Sequence, residues 1–170
     1  MRALAILLVA SHMGLVESAC GAIPADFRVE AIFGAGGGSA PAGDGTSAIT
    51  VIIMADGRAS LKSAGYYTHD LRVSTRIETS RLSPARVEEI VAAMQRTKFL
   101  SLPPDMDGAD DSLHYVLIVT AHGRKHRVDV TPPFDKLPEL RRFRTVWTSV
   151  MQAMPSPLGR VATKHLQKYI

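Results

Sequence analysis

The residues best equipped for chemistry gather between positions 105 and 126. Asp105, Asp107, Asp110 and Asp111 place four carboxylates in one short stretch. Clustered carboxylates are hard oxygen donors of the kind that hold Ca²⁺. A loop of the EF-hand type needs Gly at its sixth position and a closing Glu at its twelfth. Counted from Asp105, Gly108 falls at the fourth position and no Glu closes the loop. The aspartates therefore read as a solvated loop with capping and turn roles. His114, His122 and His126 follow, and zinc would need them to converge with a further ligand. A turn at His122-Gly123 sets His126 opposite Val119 and leaves His122 at the tip, so the three read as exposed hairpin histidines. Ser112-x-His114 can share a strand face, but nothing marks a third group or an oxyanion hole. His69 and Asp70 are adjacent, so in a strand they point to opposite faces. Gly34-x-Gly36 follows a strand, yet Ala40-Pro41 comes next, with no Lys and no helix N-terminus to face a phosphate. The chain is expected to be non-catalytic, with no metal and no cofactor.

The elements that carry these residues are clearly punctuated. Phe27, Val29, Ala31 and Phe33 alternate with Arg28, Glu30 and Ile32 and predict a first strand. Residues 34–45 are almost wholly Gly, Ala, Pro, Ser and Asp, a composition with nothing to bury, and predict a flexible loop. Ile49–Met54 and Arg58–Leu61 flank Asp56-Gly57, which suits a type I′ hairpin turn. Leu71, Val73, Thr75, Ile77 and Thr79 alternate with Arg72, Ser74, Arg76 and Glu78, predicting a strand with one buried face. Ser83 is placed to cap a helix, with Pro84 at its first position and Leu82 able to staple onto Val87. Val87, Ile90, Val91 and Met94 form one apolar stripe. Phe99-Leu100-Ser101-Leu102-Pro103-Pro104 ends that helix. Tyr115–Ala121 and Arg124–Val130 predict a second hairpin. A last helix starting near Asp135 or Pro138 carries Leu140, Phe143, Trp147, Val150 and Met154 as core positions. The expected fold is α+β, in the order ββββαββα: a mainly antiparallel sheet of five to six strands with two helices packed on one face.

Composition frames these elements. Of the 170 residues, 46% are hydrophobic, enough for a core without cross-links. The net charge of +4 is unevenly spread: residues 120–170 hold ten Lys/Arg against three Asp/Glu, and residues 23–119 hold nine against twelve. The basic third reads first as a solvated face. Scarce aromatics among its charges argue against nucleic acid. Met1-Arg2, the apolar run from Ala3, and the small residues Ser18–Ala22 have the layout of a secretion signal over 1–22. No other run is long enough to span a bilayer. Residues 26–154 are expected to form a single domain, and 155–170 a weakly ordered basic tail, with a short helix over 158–170 left open. Cys20, the one cysteine, cannot form an internal disulfide. Ser18-Ala19-Cys20 resembles the end of a lipobox, with Glu17 where that motif has an apolar residue. Lipidation at Cys20 would give a membrane-anchored lipoprotein. Ordinary cleavage between Cys20 and Ala25 would give a periplasmic or secreted protein.

From Leu82 onward a further likeness emerges. Leu82-Ser83-Pro84, the Phe99–Pro104 stop, Asp110 followed by Tyr115-Val116-Leu117-Ile118-Val119, and Gly123-Arg124-Lys125-His126-Arg127-Val128 together resemble the emfourin family. Those proteins are small bacterial inhibitors of thermolysin-like metalloproteases. The same text is similar to related bacterial domains without an assigned function. The resemblance implies an α+β fold and a protein partner, a metalloprotease in the most concrete case, and it transfers no inhibitory residue. The expected function is an exported, protein-binding domain of the bacterial cell envelope. The alternative is a lipid-anchored accessory or structural subunit of an envelope complex.

Overall fold

A computed structural model describes residues 22–35, 46–66, 73–106, 113–131 and 137–167. Seven strands and three helices alternate as β1 (Arg28–Ala35), β2 (Thr46–Met54), β3 (Arg58–Tyr66), β4 (Val73–Arg81), α1 (Pro84–Arg96), β5 (Asp105–Met106), β6 (Leu113–Ala121), β7 (Arg124–Val130), α2 (Leu137–Met151) and α3 (Pro157–Gln167). A single 3₁₀ turn, Phe99–Ser101, follows α1. The strands form one sheet in the order β4-β3-β2-β1-β6-β7-β5. Every pairing is antiparallel except β5 against β7. Cys20, His69, Asp70, Asp107, Asp110, Asp111, Ser112 and most of the Gly-rich stretch lie outside the described residues.

The mixed α+β class holds, with more strands and one more helix than expected. The extra strand is β5, only two residues long, which follows the Pro103-Pro104 stop. The extra helix is α3, in the segment read as a weakly ordered tail. Its Ala162 and Leu166 are fully buried and belong to the main core. The sequence signal was weak because Pro155 and Pro157 look like a terminus. Pro157 instead occupies the first position of α3, where a missing N–H costs nothing.

Alternation along the strands builds the core. Val29, Ala31 and Phe33 of β1, Ile49, Val51 and Ile53 of β2, and Tyr115, Leu117 and Val119 of β6 bury one sheet face. Helix α2 lies over β1 and β2 and packs against α1 and α3. Trp147 is the largest fully buried side chain. It stacks on Phe143 with ring centroids 5.8 Å apart and meets Tyr115 edge-on at 5.6 Å. On the outer face, Val116 and Ile118 of β6 are also nearly sealed, at 4% and 8% exposure. β6 is an interior strand, flanked by β1 and β7.

β4 departs from expectation. Leu61 of β3 faces the core and pairs with Glu78, so Ile77 takes the outer face opposite Lys62. Thr75, Ile77 and Thr79 are exposed. The alternation is real, but as the sheet's edge strand β4 turns its less polar side to solvent.

The Asp56-Gly57 hairpin forms with a different turn. Only Gly57 has positive φ, at 81°. Its N–H donates to the Met54 carbonyl, giving a type I turn closed by a left-handed glycine. Asp56 accepts from the backbone N–H and the guanidinium of Arg58. Gly57 also carries a long-range role: its carbonyl accepts from the N–H of Leu82 at 2.8 Å, and a Cβ here would lie 2.4 Å from the Leu82 carbonyl oxygen. Gly57→Ala is therefore expected to destabilise the fold by about 1–3 kcal/mol, from left-handed strain alone. Urea unfolding checks this, and an unchanged midpoint would show that the β2–β3 turn and Leu82 separate freely.

Candidate partner-binding groove beside the second hairpin

Ser83 caps α1 as its sequence indicates: it is extended, and its hydroxyl accepts from the N–H of Arg86. The other end of α1 is more informative. Thr97 closes the helix, with its N–H bonded to the Ala93 carbonyl, and Lys98 then turns left-handed at φ 49°, ψ 46°. Glycine usually fills this position after a helix, because a side chain there meets backbone. Lys98 adopts it at a cost of about 1 kcal/mol. The kink drives Phe99 into the core, fully buried, and turns the next side chain outward. That residue is Leu100, at 61% exposure one of two exposed large hydrophobic side chains among the described residues.

Arg142 of α2 fixes this knuckle. Its guanidinium donates to the carbonyl oxygens of Thr97 and Lys98 and, at 2.7 Å, to the Ser101 hydroxyl. The planar fork matches several acceptors at once. It also satisfies carbonyls left open at a helix C-terminus and favours the negative end of the helix dipole. Leu100 is thus held out by a clamped turn rather than carried on a loose loop.

Beside Leu100 lies an apolar groove of about 570 Å³. Phe27, Val119, Met94 of α1, Pro24 and Ala121 are among the residues that line it. A second cavity of about 490 Å³ shares Leu100, Val119, Ala121 and His122 and continues past Arg124, Lys125 and His126. Lys98 lines the first cavity and Arg124 and Lys125 the second, and no carboxylate is among the described residues that line either.

Asp26 locks the hairpin to the start of the domain. Its two carboxylate oxygens accept from the backbone N–H groups of His122 at 2.9 Å and Gly123 at 2.6 Å. These bonds, that to Gly123 foremost, hold the Asp26 carboxyl below the ordinary carboxylate range. Ionised Asp26 favours the native state, so its stabilising effect is present above the unfolded pKa, about 4. It fades as pH falls through the lower folded value. The amide signals of His122 and Gly123 should therefore titrate below the usual Asp range, and Asp26→Asn should abolish that titration. A midpoint at the ordinary value would mean that the two bonds do not persist in solution.

The sequence-derived chemical candidates do not converge. His122 sits at the turn tip with φ 53°, followed by Gly123 at φ 69°. His126 pairs with Val119 as expected, but it is not an exposed hairpin histidine. Its ring meets Phe99 edge-on at 5.7 Å, and its buried Nε2 has no hydrogen-bond partner among the described residues. The face it shares with Val119 is the face that Phe99 packs against. His114 occupies the opposite sheet face, with Nδ1 3.7 Å from Asp129 Oδ1. Asp105 lies in β5. Among the described residues no group of His, Cys, Asp and Glu is placed to share a metal ion. No helix among them is long and apolar enough to cross a membrane.

The groove went unseen in the sequence because its parts are scattered between Ala22 and His126. The usable signal was Leu100, an apolar residue between the buried Phe99 and Leu102, which no helical or strand period places in a core. No protein-family model matches this chain, and no curated protein is detectably similar to it.

Proposed function

We propose that the chain is an exported, non-catalytic protein-binding domain of the cell envelope that engages its partner through the Leu100 knuckle and the adjoining groove. The observation that carries this reading is an exposed leucine held beside an apolar channel by the Arg142 fork. Burying an aliphatic side chain of this size contributes about 1.5–3 kcal/mol, and a clamped turn loses little entropy on binding. The partner surface that suits it offers an apolar side chain to the groove and carboxylates to Lys98, Arg124 and Lys125. Protease inhibition is the most concrete form, because the motifs from Leu82 to Val128 resemble inhibitors of thermolysin-like metalloproteases. Titrating such a protease at two salt concentrations tests it. Stoichiometric inhibition that weakens with salt is expected, since the cations at the rim steer the encounter.

Cys20 supports a second reading, a lipid-anchored accessory subunit. The two cannot hold at once for a large soluble partner. Ala22 lines the groove, and two residues span at most about 7 Å. A lipidated Cys20 would therefore hold the groove against the bilayer and reserve it for a membrane-embedded partner. Membrane fractionation separates the cases: Cys20→Ser releases the protein only if Cys20 carries the anchor.

A further inference from the structure

We propose that β4 is a self-pairing edge, and that two copies of this chain join their sheets there, antiparallel, in the register that sets Ile77 against Ile77. β4 pairs with β3 over its full nine-residue length without a register shift. Among the described residues no strand lies on its other side. It thus presents a row of unpaired backbone groups, the usual template for strand addition. Natural edges are commonly blunted by Pro, by a bulge or by shortness. On the opposite side β5 covers only Asp129 and Val130 of β7, and the remainder of β7 carries Arg124, Lys125 and Arg127, charges of the kind that blunt an edge. β4 has no Pro, Gly or bulge, and it displays Ile77 at 65% exposure.

Its charges identify the partner. Thr75-Arg76-Ile77-Glu78-Thr79 reads the same backwards apart from exchange of Arg and Glu. In an antiparallel pair centred on Ile77, each Arg76 faces the copy's Glu78 and each Thr75 faces the copy's Thr79. Ile77 meets its equivalent. The arrangement is self-complementary about one two-fold axis, as an isologous dimer requires. Centring one residue earlier would set Arg76 against Arg76, and one residue later Glu78 against Glu78. Like charges directly opposite destabilise a pair, so the same side chains that admit a second copy disfavour shifted registers. Arg76 and Glu78 already form an ion pair within the strand, with Nε 3.1 Å from Oε1. Pairing would extend it to four alternating charges.

The two-fold would stand perpendicular to the sheet, because directly opposed residues share a face. Both helix layers would then lie on one side of a continuous fourteen-strand sheet, twice the seven of one copy. β6, beside the groove, is four strand spacings from β4, or roughly 19 Å. Both grooves would stay open.

The test is sedimentation equilibrium on the purified protein over a wide concentration range. A concentration-dependent monomer–dimer equilibrium is expected. Arg76→Glu alone and Glu78→Arg alone should each weaken dimerisation by about tenfold or more, because each sets like charges opposite one another. The double exchange Arg76→Glu with Glu78→Arg should restore it to near the wild-type constant. These side chains belong to an edge strand, and circular dichroism confirms that each variant stays folded. A wild-type protein that remains monomeric at about millimolar concentration overturns the proposal. So do single variants that dimerise normally, or a double variant that fails to recover.

Discussion

Trp147→Ala is expected to remove about 3–5 kcal/mol of stability, the range for truncating a fully buried large aromatic. Small domains are stable by about 5–15 kcal/mol in total, so this one change should bring the protein close to unfolding at physiological temperature. The cost arises from position as much as size. Trp147 projects from α2 between Phe143 on its own helix and Tyr115 on the central strand β6. Removing the indole opens a void between the helix layer and the middle of the sheet, where neither layer can close independently. Trp147→Phe should cost much less, about 1–2 kcal/mol. It keeps most of the ring contact and removes a buried Nε1–H that has no hydrogen-bond partner among the described residues. Chemical denaturation of both variants checks the pair. Similar small losses would mean that α2 is held mainly by its ends.

Leu100→Asp is expected to weaken binding by at least about 30-fold while leaving stability almost unchanged. Central apolar anchors of an interface typically cost 2 kcal/mol or more when removed, and each 1.4 kcal/mol is tenfold in affinity. Leu100 is largely exposed in the free protein, so folding does not depend on it. Arg142→Ala should behave differently. It leaves the carbonyls of Thr97 and Lys98 without their charged donor, a loss of about 1.5–3 kcal/mol in stability. It also frees the knuckle to move, so affinity should fall as well. Arg142→Lys keeps the charge but not the fork, and recovery limited to stability would show that geometry matters for binding. If Leu100→Asp inhibits the protease as well as the parent, the knuckle is not the contact.

Much of the framework was legible in the sequence because it rests on local rules. The Ser83 cap, Pro84 at the first turn and the stripe Val87, Ile90, Val91 and Met94 needed only helical spacing, and all four stripe residues are buried. The register of the second hairpin followed from His122-Gly123, whose residues both take positive φ. What sequence could not give was decided by neighbours far along the chain. The alternation in β4 is plain, but its core side depends on pairing with β3, and that pairing sends Ile77 outward. α3 looked like a tail because its anchorage depends on α2: a Cβ at Gly159 would lie 2.2 Å from the Met151 carbonyl oxygen, closer than any side chain permits. The groove depends on Asp26 reaching His122 and on Arg142 reaching Thr97, contacts between distant segments that carry no periodic signal.

The measurement that tests the central claim most directly is a titration of a thermolysin-like metalloprotease with the purified protein, following residual proteolytic activity, with the Leu100→Asp variant alongside. The account predicts a sharp, near-equimolar loss of activity with the parent and a curve displaced by at least about 30-fold with the variant. Full protease activity at large molar excess, with the added protein intact throughout, would contradict the inhibitor reading.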